Sequence, residues 1–151
     1  MNKGTINVVT SPADAKALDD ILWQILWQPL DLPRDVRQRF KVDGEQIELV
    51  YKAGGLTSGG LVAVWTGKDD VELRHIAVRA ESQKRGVGRN LVEALIDRVV
   101  PMGATRIHTI ARNTSTGFLT RLGFQTIPGI VPEHPDFKEH GIIFECMEKI
   151  I

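Results

Sequence analysis

The stretch from Val71 to Val100 constrains the fold of this chain more than any other. Val71–Val78 is an apolar run of strand length, Arg79–Arg85 is polar, and a helix is predicted from about Gly88 to Val100. Leu91, Val92, Leu95, Ile96 and Val99 recur at helical spacing and form one apolar stripe. Pro101 and Gly103 stop that helix. A strand followed at once by an amphipathic helix needs a sheet to pack on.

The flanking segments supply one. Ile6–Val9 reads as a first strand, and Ser11-Pro12 as the N-cap and first position of a helix. That helix is predicted from Pro12 to about Trp27, with Leu18, Ile21, Leu22 and Ile25 as its core face. Trp23 and Trp27 lie four apart on another face, where they serve as core or as the wall of a substrate groove. Pro33 opens a short helix over Arg34–Phe40. Ile47–Lys52 and Leu61–Thr66 read as strands, with Gly54, Gly55, Gly59 and Gly60 between them. Arg106–Ile110, Phe124–Ile127 and Ile142–Met147 are further strands, and Ser115–Leu122 is a short helix closed by Gly123. Pro128–Gly141 reads as loop. Strands and helices alternate only in the second half, so the class is mixed α+β.

At 151 residues the chain suits a single domain spanning 1–151. Its 19 basic and 19 acidic residues balance, which argues against a nucleic-acid binder. The single cysteine, Cys146, cannot form an internal disulfide and is consistent with a reducing, cytoplasmic setting. Met1–Thr10 has no long apolar run after Lys3, and Ile21–Trp27 is too short to span a bilayer, so neither a signal peptide nor a membrane partner is expected. The four histidines and one cysteine lack zinc-type spacing, and no metal is expected.

The chemistry concentrates in Gln83-Lys84-Arg85-Gly86-Val87-Gly88-Arg89, between the apolar strand and the amphipathic helix. A helix start exposes N–H groups without intrahelical partners and carries partial positive charge. Gly86 and Gly88 admit an anion to the backbone, and Lys84, Arg85 and Arg89 add full charges around it. Together they predict a phosphate or pyrophosphate site. GxxxxGK[ST] is absent, and GxGxxG fails because position 91 is Leu.

Gln83-x-x-Gly86-x-Gly88 resembles the acetyl-coenzyme A motif of the GNAT N-acetyltransferase superfamily. Ile76-Ala77-Val78 before it, Asn113 after the next strand, and Phe118-Leu119-Thr120-Arg121-Leu122-Gly123-Phe124 resemble the family's flanking elements across residues 71–124. The resemblance implies a twisted, mostly antiparallel sheet of about six or seven strands flanked by about four helices. It implies that Val71–Val78 and Arg106–Ile110 splay apart at one end. The pantetheine arm would lie in that gap, against backbone of Ile76 and Val78, with Asn113 and Phe118 beside it. The pyrophosphate would take N–H groups of residues 84–89. The resemblance further implies acetyl transfer from acetyl-coenzyme A to an amine by direct attack.

Glu72, four residues before Ile76, is the candidate base, acting through water. His75 is a second candidate, on the opposite face from Glu72 unless a bulge intervenes. Leu119 departs from the family pattern, in which Tyr protonates the leaving thiolate; Thr116 and Thr120 are the neighbouring hydroxyls. The acceptor is expected to be a small-molecule amine. Trp23, Trp27 and His134 are candidate substrate contacts, and Asp31, Glu133, Asp136 and Glu139 are acids that would draw a cationic amine. A protein lysine or N-terminal acetyltransferase and a non-catalytic acyl-CoA-binding module are the alternatives. Exposed strand edges in such a fold make a homodimer a further expectation.

Overall fold

The computed structural model describes residues 4–151; Met1–Lys3, the start of the segment read as lacking a signal peptide, lies outside them. The chain forms seven strands: β1 Thr5–Val8, β2 Gln46–Ala53, β3 Leu56–Trp65, β4 Asp70–Val78, β5 Arg106–Arg112, β6 Gln125–Thr126 and β7 Phe144–Ile150. They lie in one sheet, in the order β1-β2-β3-β4-β5-β7-β6. Every pairing is antiparallel except β4–β5. The helices are α1 Pro12–Leu22, α2 Val36–Arg39, α3 Val87–Val99, α4 Thr116–Arg121 and α5 Pro135–Lys138. This is the mixed class read from the sequence and the mostly antiparallel sheet that the family resemblance implies, with five helices where about four are expected.

The sheet is covered on both faces. On one, α3 buries Leu91, Leu95 and Val99 completely against Leu61, Val71 and Ile107. On the other, Leu18 and Leu22 of α1 pack with Val50, Val62 and Trp27. Each fully buried aliphatic side chain stabilises the fold by about 1.5–3 kcal/mol. Ser11 caps α1 as predicted, its hydroxyl accepting from the Asp14 N–H at 3.1 Å. Gly86 caps α3 with a left-handed φ of 83°.

Several elements differ from the sequence pattern for identifiable reasons. Gly59 and Gly60 belong to β3 rather than to a loop. A Cβ on Gly60 would lie 2.5 Å from Leu18 Cδ1, and one on Gly59 would lie 2.8 Å from Val87 Cγ1. The two glycines let helices press on opposite faces of one strand. The first helix stops being α at Leu22 and widens into a π turn, Trp23–Trp27, in which the Gln28 N–H donates to the Trp23 carbonyl. The widened turn parts the two tryptophans. The Trp23 indole donates to Leu32 O at 3.0 Å beside Arg34, whereas Trp27 turns inward and is 3% exposed. The late loop contains α5, whose N-cap is His134. Among the described residues no helix is long and apolar enough to cross a membrane.

Candidate active site at the split in the sheet

β4 and β5 pair only from Asp70↔Arg106 to Leu73↔Thr109. Beyond that point β4 stays with β3 as far as Val78, and β5 stays with β7 as far as Arg112. The two strands therefore splay, and the β4 edge facing β5 lacks a strand partner after Leu73. At the apex the Thr109 hydroxyl donates to Leu73 O at 2.8 Å and closes the ladder.

A cavity of about 410 Å³ occupies the split. Its wall takes Leu73, Ala111 and Leu119 from the α3 side of the sheet and Trp27 and Phe137 from the α1 side. The space thus runs through the sheet from one face toward the other. Phe40 and His134 also line it, and the two rings meet edge to face at 6.4 Å.

A bulge sets the chemistry of the β4 wall. Val62 faces His75 and Ala63 faces Leu73, so Arg74 is the extra residue. The bulge places His75 on the same face as Glu72, where simple alternation would have set them apart. Glu72 is 9% exposed. It is paired with Arg74 and lies 3.3 Å from His108 Nε2. His108 in turn meets Asp70 at 3.1 Å, and Arg106 joins Asp70 to Glu148. Burial alone would raise the Glu72 carboxyl, but hydrogen bonds from His108 and Arg74 hold it below its ordinary value. Glu72 does not line the cavity; Arg74 and His75 do. His75 meets the Trp27 ring edge to face at 5.0 Å. Burial, reinforced by the positive charges of Arg74, Arg37 and Arg112, pushes its imidazole down to about 3. The ring is neutral at physiological pH.

His108 carries a testable pH dependence. Its hydrogen bond to Glu72, opposed by burial and aided by Asp70, raises it above 6.5. A raised histidine contributes stability that is complete below pH 6.5 and is lost as pH climbs through the higher folded value. The difference in Tm between wild type and His108→Gln is expected to be largest near about pH 5.5 and to shrink toward about pH 9. A difference that does not vary with pH would show that the pairing stabilises nothing.

The loop before α3 is built around two left-handed residues. Lys84 has φ 64° and Gly86 φ 83°, alternating with residues of ordinary backbone. These two positions turn the chain tightly into the start of α3, whose first N–H groups have no intrahelical partners. The Gln83 amide donates to Val78 O at 3.0 Å and ties the loop to the end of β4. Lys84, Arg85 and Arg89 are exposed around it, and Val87 is buried as the first residue of α3. Ile76 lines the cavity, while Ala77 faces the α1 cluster. Phe118 packs over Gly88, where an added Cβ would come within 2.9 Å of its ring. The Asn113 side chain spans to the other strand, donating to Gly141 O at 3.2 Å and accepting from Ile143 N at 3.3 Å.

Trp27 and His134 lie in the cavity wall, and Trp23 does not. Of the acids expected to draw an amine, Glu133 reaches the wall and Asp136 is paired with His134 at 3.4 Å. The Thr116 and Thr120 hydroxyls donate to Asn113 O and Thr116 O, back onto their own turn. Ser115 lines the cavity and its side chain makes no capping bond. It lies one turn before Leu119, which is also in the wall. Arg112 was not singled out in the sequence, yet its guanidinium lines the cavity. Among the described residues no group of three or more His, Cys, Asp or Glu side chains is placed to hold a metal.

A sheet split between β4 and β5, a cavity in the split and a glycine-bearing loop at the start of α3 define the architecture of the site. Solved structures share it. A presumed N-acetyltransferase from Lactobacillus plantarum is 19% identical, with 99% of each chain covered and a TM-score of 0.82. An aminoglycoside 6'-N-acetyltransferase complexed with coenzyme A is 17% identical, with 97% of this chain and 96% of that one covered and a TM-score of 0.76. The ribosomal-protein-S18-alanine N-acetyltransferase of Escherichia coli is 18% identical, with 97% and 91% covered and a TM-score of 0.71. A search of curated protein sequences finds no significant match. The model of the acetyltransferase (GNAT) domain matches residues 30–151, and the chain belongs to this family of N-acetyltransferases.

Proposed function

We propose that this protein moves the acetyl group of acetyl-coenzyme A to the primary amine of a small molecule, by direct attack within a ternary complex. The observation that carries this reading is the cavity through the split sheet. It lets a donor and an acceptor approach from opposite faces and meet between β4 and β5. The coenzyme A complex of the aminoglycoside enzyme, a protein of the same fold, supports the choice of donor. The enclosure of the acceptor side by Trp27, Phe40, His134 and Phe137 supports a small acceptor over a polypeptide tail.

In this reading the N–H groups of residues 84–89 hold the pyrophosphate, with Lys84, Arg85 and Arg89 around it. The edge of β4 at Ile76–Val78 pairs with the pantetheine amides, Val78 O giving up its bond from the Gln83 amide, and Phe118 packs beside them. Asn113 joins this contact by exchanging its bonds to Gly141 and Ile143. Bound acetyl-coenzyme A supplies the activated thioester. The amine nitrogen bonds to the acetyl carbon as the carbon–sulfur bond breaks, and the proton the amine loses balances the thiol that departs.

The cations of the wall, Arg74 and Arg112, disfavour an ammonium and so favour the neutral, nucleophilic amine. Neutral His75 offers a ring nitrogen to accept from that amine and orient it; its low pKa makes it a weak proton acceptor, so water carries the proton away. The contacts of Glu72 favour a positioning role, holding Arg74 at the wall, over that of the base expected from the sequence. Ser115, one turn from Leu119, is the hydroxyl we assign to the departing sulfur.

The test is a calorimetric titration of acetyl-coenzyme A into the wild type, followed by a screen of primary amines for release of free thiol. Micromolar binding and thiol release with at least one small amine are expected. A folded protein that fails to bind acetyl-coenzyme A would reject the reading. Acetylation of peptides alone would reassign the acceptor.

A further inference from the structure

Arg112 stands apart from the other cations near the site. Arg37 is paired with Glu48, Arg74 with Glu72, and Arg106 with Asp70 and Glu148. Arg112 is half-buried at the end of β5, with its guanidinium over the Phe137 ring at 5.4 Å. One Nη donates to Leu26 O at 2.9 Å. Among the described residues no carboxylate lies within ion-pairing reach of it. Burial lowers it to about 10, which leaves it cationic at neutral pH. A guanidinium has five N–H donors in a planar fork, and a single carbonyl uses one of them. Leaving a desolvated cation without an acid partner is costly unless something else supplies the charge.

The cavity that Arg112 lines has little else to neutralise it. Glu133 is exposed, and Arg74 on the opposite wall already holds the one nearby buried acid among the described residues, Glu72. The Arg112 fork therefore has room for an anion that enters with the ligand. Its planar shape matches a carboxylate, which takes two parallel N–H donors. The aromatic side chains Trp27, Phe40 and Phe137 around it suit an apolar body attached to that carboxylate.

We infer that the acceptor is an amino carboxylate, a small molecule carrying both the amine to be acetylated and a carboxylate that Arg112 binds inside the cavity. This excludes the polycationic amines that the loop acids alone would attract. The identity of the acetylated amine rests on the acetyl-transfer reading; the carboxylate subsite does not.

The subsite is tested without any transfer. Binding of 3-phenylpropionate and of the matched 3-phenylpropanamide is measured by calorimetry and by amide NMR shifts around Arg112. The wild type is expected to bind the acid about 10- to 100-fold more tightly than the amide. Arg112→Gln is expected to lose that preference, and Arg112→Lys, which keeps the charge without the fork, to retain part of it. Equal binding of acid and amide to the wild type overturns the inference, as does a folded Arg112→Gln protein that keeps the preference. Where Arg112→Gln fails to fold, the amide NMR shifts around Arg112 and the Arg112→Lys variant decide whether the acid sits at this residue. In the transfer assay, amino acids are then expected to exceed their own carboxamides in kcat/KM. Loss of acetyl-coenzyme A binding in the wild type would sink the transfer reading and leave the carboxylate result standing.

Discussion

Gly86→Glu is expected to weaken acetyl-coenzyme A binding by about a hundredfold or more while costing only a few degrees of Tm. The expectation follows from where the loop places its donors. Lys84 and Gly86 are both left-handed, and α3 begins at the next residue. In the proposed complex the pyrophosphate takes several charge-assisted hydrogen bonds there, each worth about 1.5–3 kcal/mol. A carboxylate introduced at that point repels the phosphates and competes for the same N–H groups, and losing one or two of these bonds is about a hundredfold in affinity. The structural cost is small because a Cβ on Gly86 meets nothing within 4 Å. What remains is the left-handed φ, about 1 kcal/mol for a residue with a side chain, or about 2–4 °C in a chain of this length. Gly88→Glu would be a poorer probe, because its Cβ strikes Phe118 and confounds packing with charge. Gly86→Ala carries the same strain without the charge and should bind acetyl-coenzyme A within a few-fold of the wild type. If Gly86→Glu also binds within a few-fold, the anion does not sit at this loop.

Much of this geometry was legible because local chemistry and global fold agree along residues 71–124. The stripe from Leu91 to Val99 has the period of an amphipathic helix, and Ser11-Pro12 carries the cap and first-turn chemistry of a helix start. The parts that were not legible depend on contacts remote in sequence. Gly59 and Gly60 read as turn residues because nothing local reveals that α1 and α3 will press on them. The π turn at Trp23–Trp27 leaves no mark in the apolar spacing, since a helix with one widened turn presents nearly the same residues. The bulge did leave a signal. Val71, Leu73, Ile76 and Val78 alternate only if one residue of the adjacent polar pair Arg74-His75 is extra. A strand that breaks its period with two consecutive polar residues is worth reading as a bulge, and here it carries His75 to the cavity. Nothing local marks Arg112, because an arginine at the end of a strand is ordinarily solvated. Only the fold shows that Leu26 and Phe137 close over it and that no acid comes with them. Ser115 stands at the helix start that the sequence predicts, and its place in the wall follows from the splay of β4 and β5.

Replacing Glu72 tests whether the electrostatics of the site hold as drawn. Glu72→Ala leaves Arg74 without its acid and removes one of the two carboxylates against His108. Breaking a buried ion pair from one side costs about 3 kcal/mol at the low end, or about 6–12 °C in Tm. The sign with pH is fixed by the direction of the shift. Glu72 lies below its ordinary 4.5, so its contribution is present above that pH and fades as pH falls through the lower folded value. The deficit of the variant should therefore be full at neutral pH and vanish in acid. Because His108 shares the network, the double variant Glu72→Ala, His108→Ala should lose less than the sum of the two single losses. Catalysis separates two roles for the same carboxylate. A general base contributes about 10²–10⁴ in rate, and removing it erases the limb of the pH–rate profile that it governs. A carboxylate held below its ordinary value by hydrogen bonds from His108 and Arg74 is a poor proton acceptor, and its effect comes through the Arg74 it anchors. Glu72→Gln is accordingly expected to lower kcat by less than about tenfold with the profile's midpoints unchanged, and to raise KM for the acceptor as Arg74 loosens from the wall. A loss of a hundredfold or more in kcat, together with loss of the limb, would return Glu72 to the role of base and leave His75 and water without the part assigned to them.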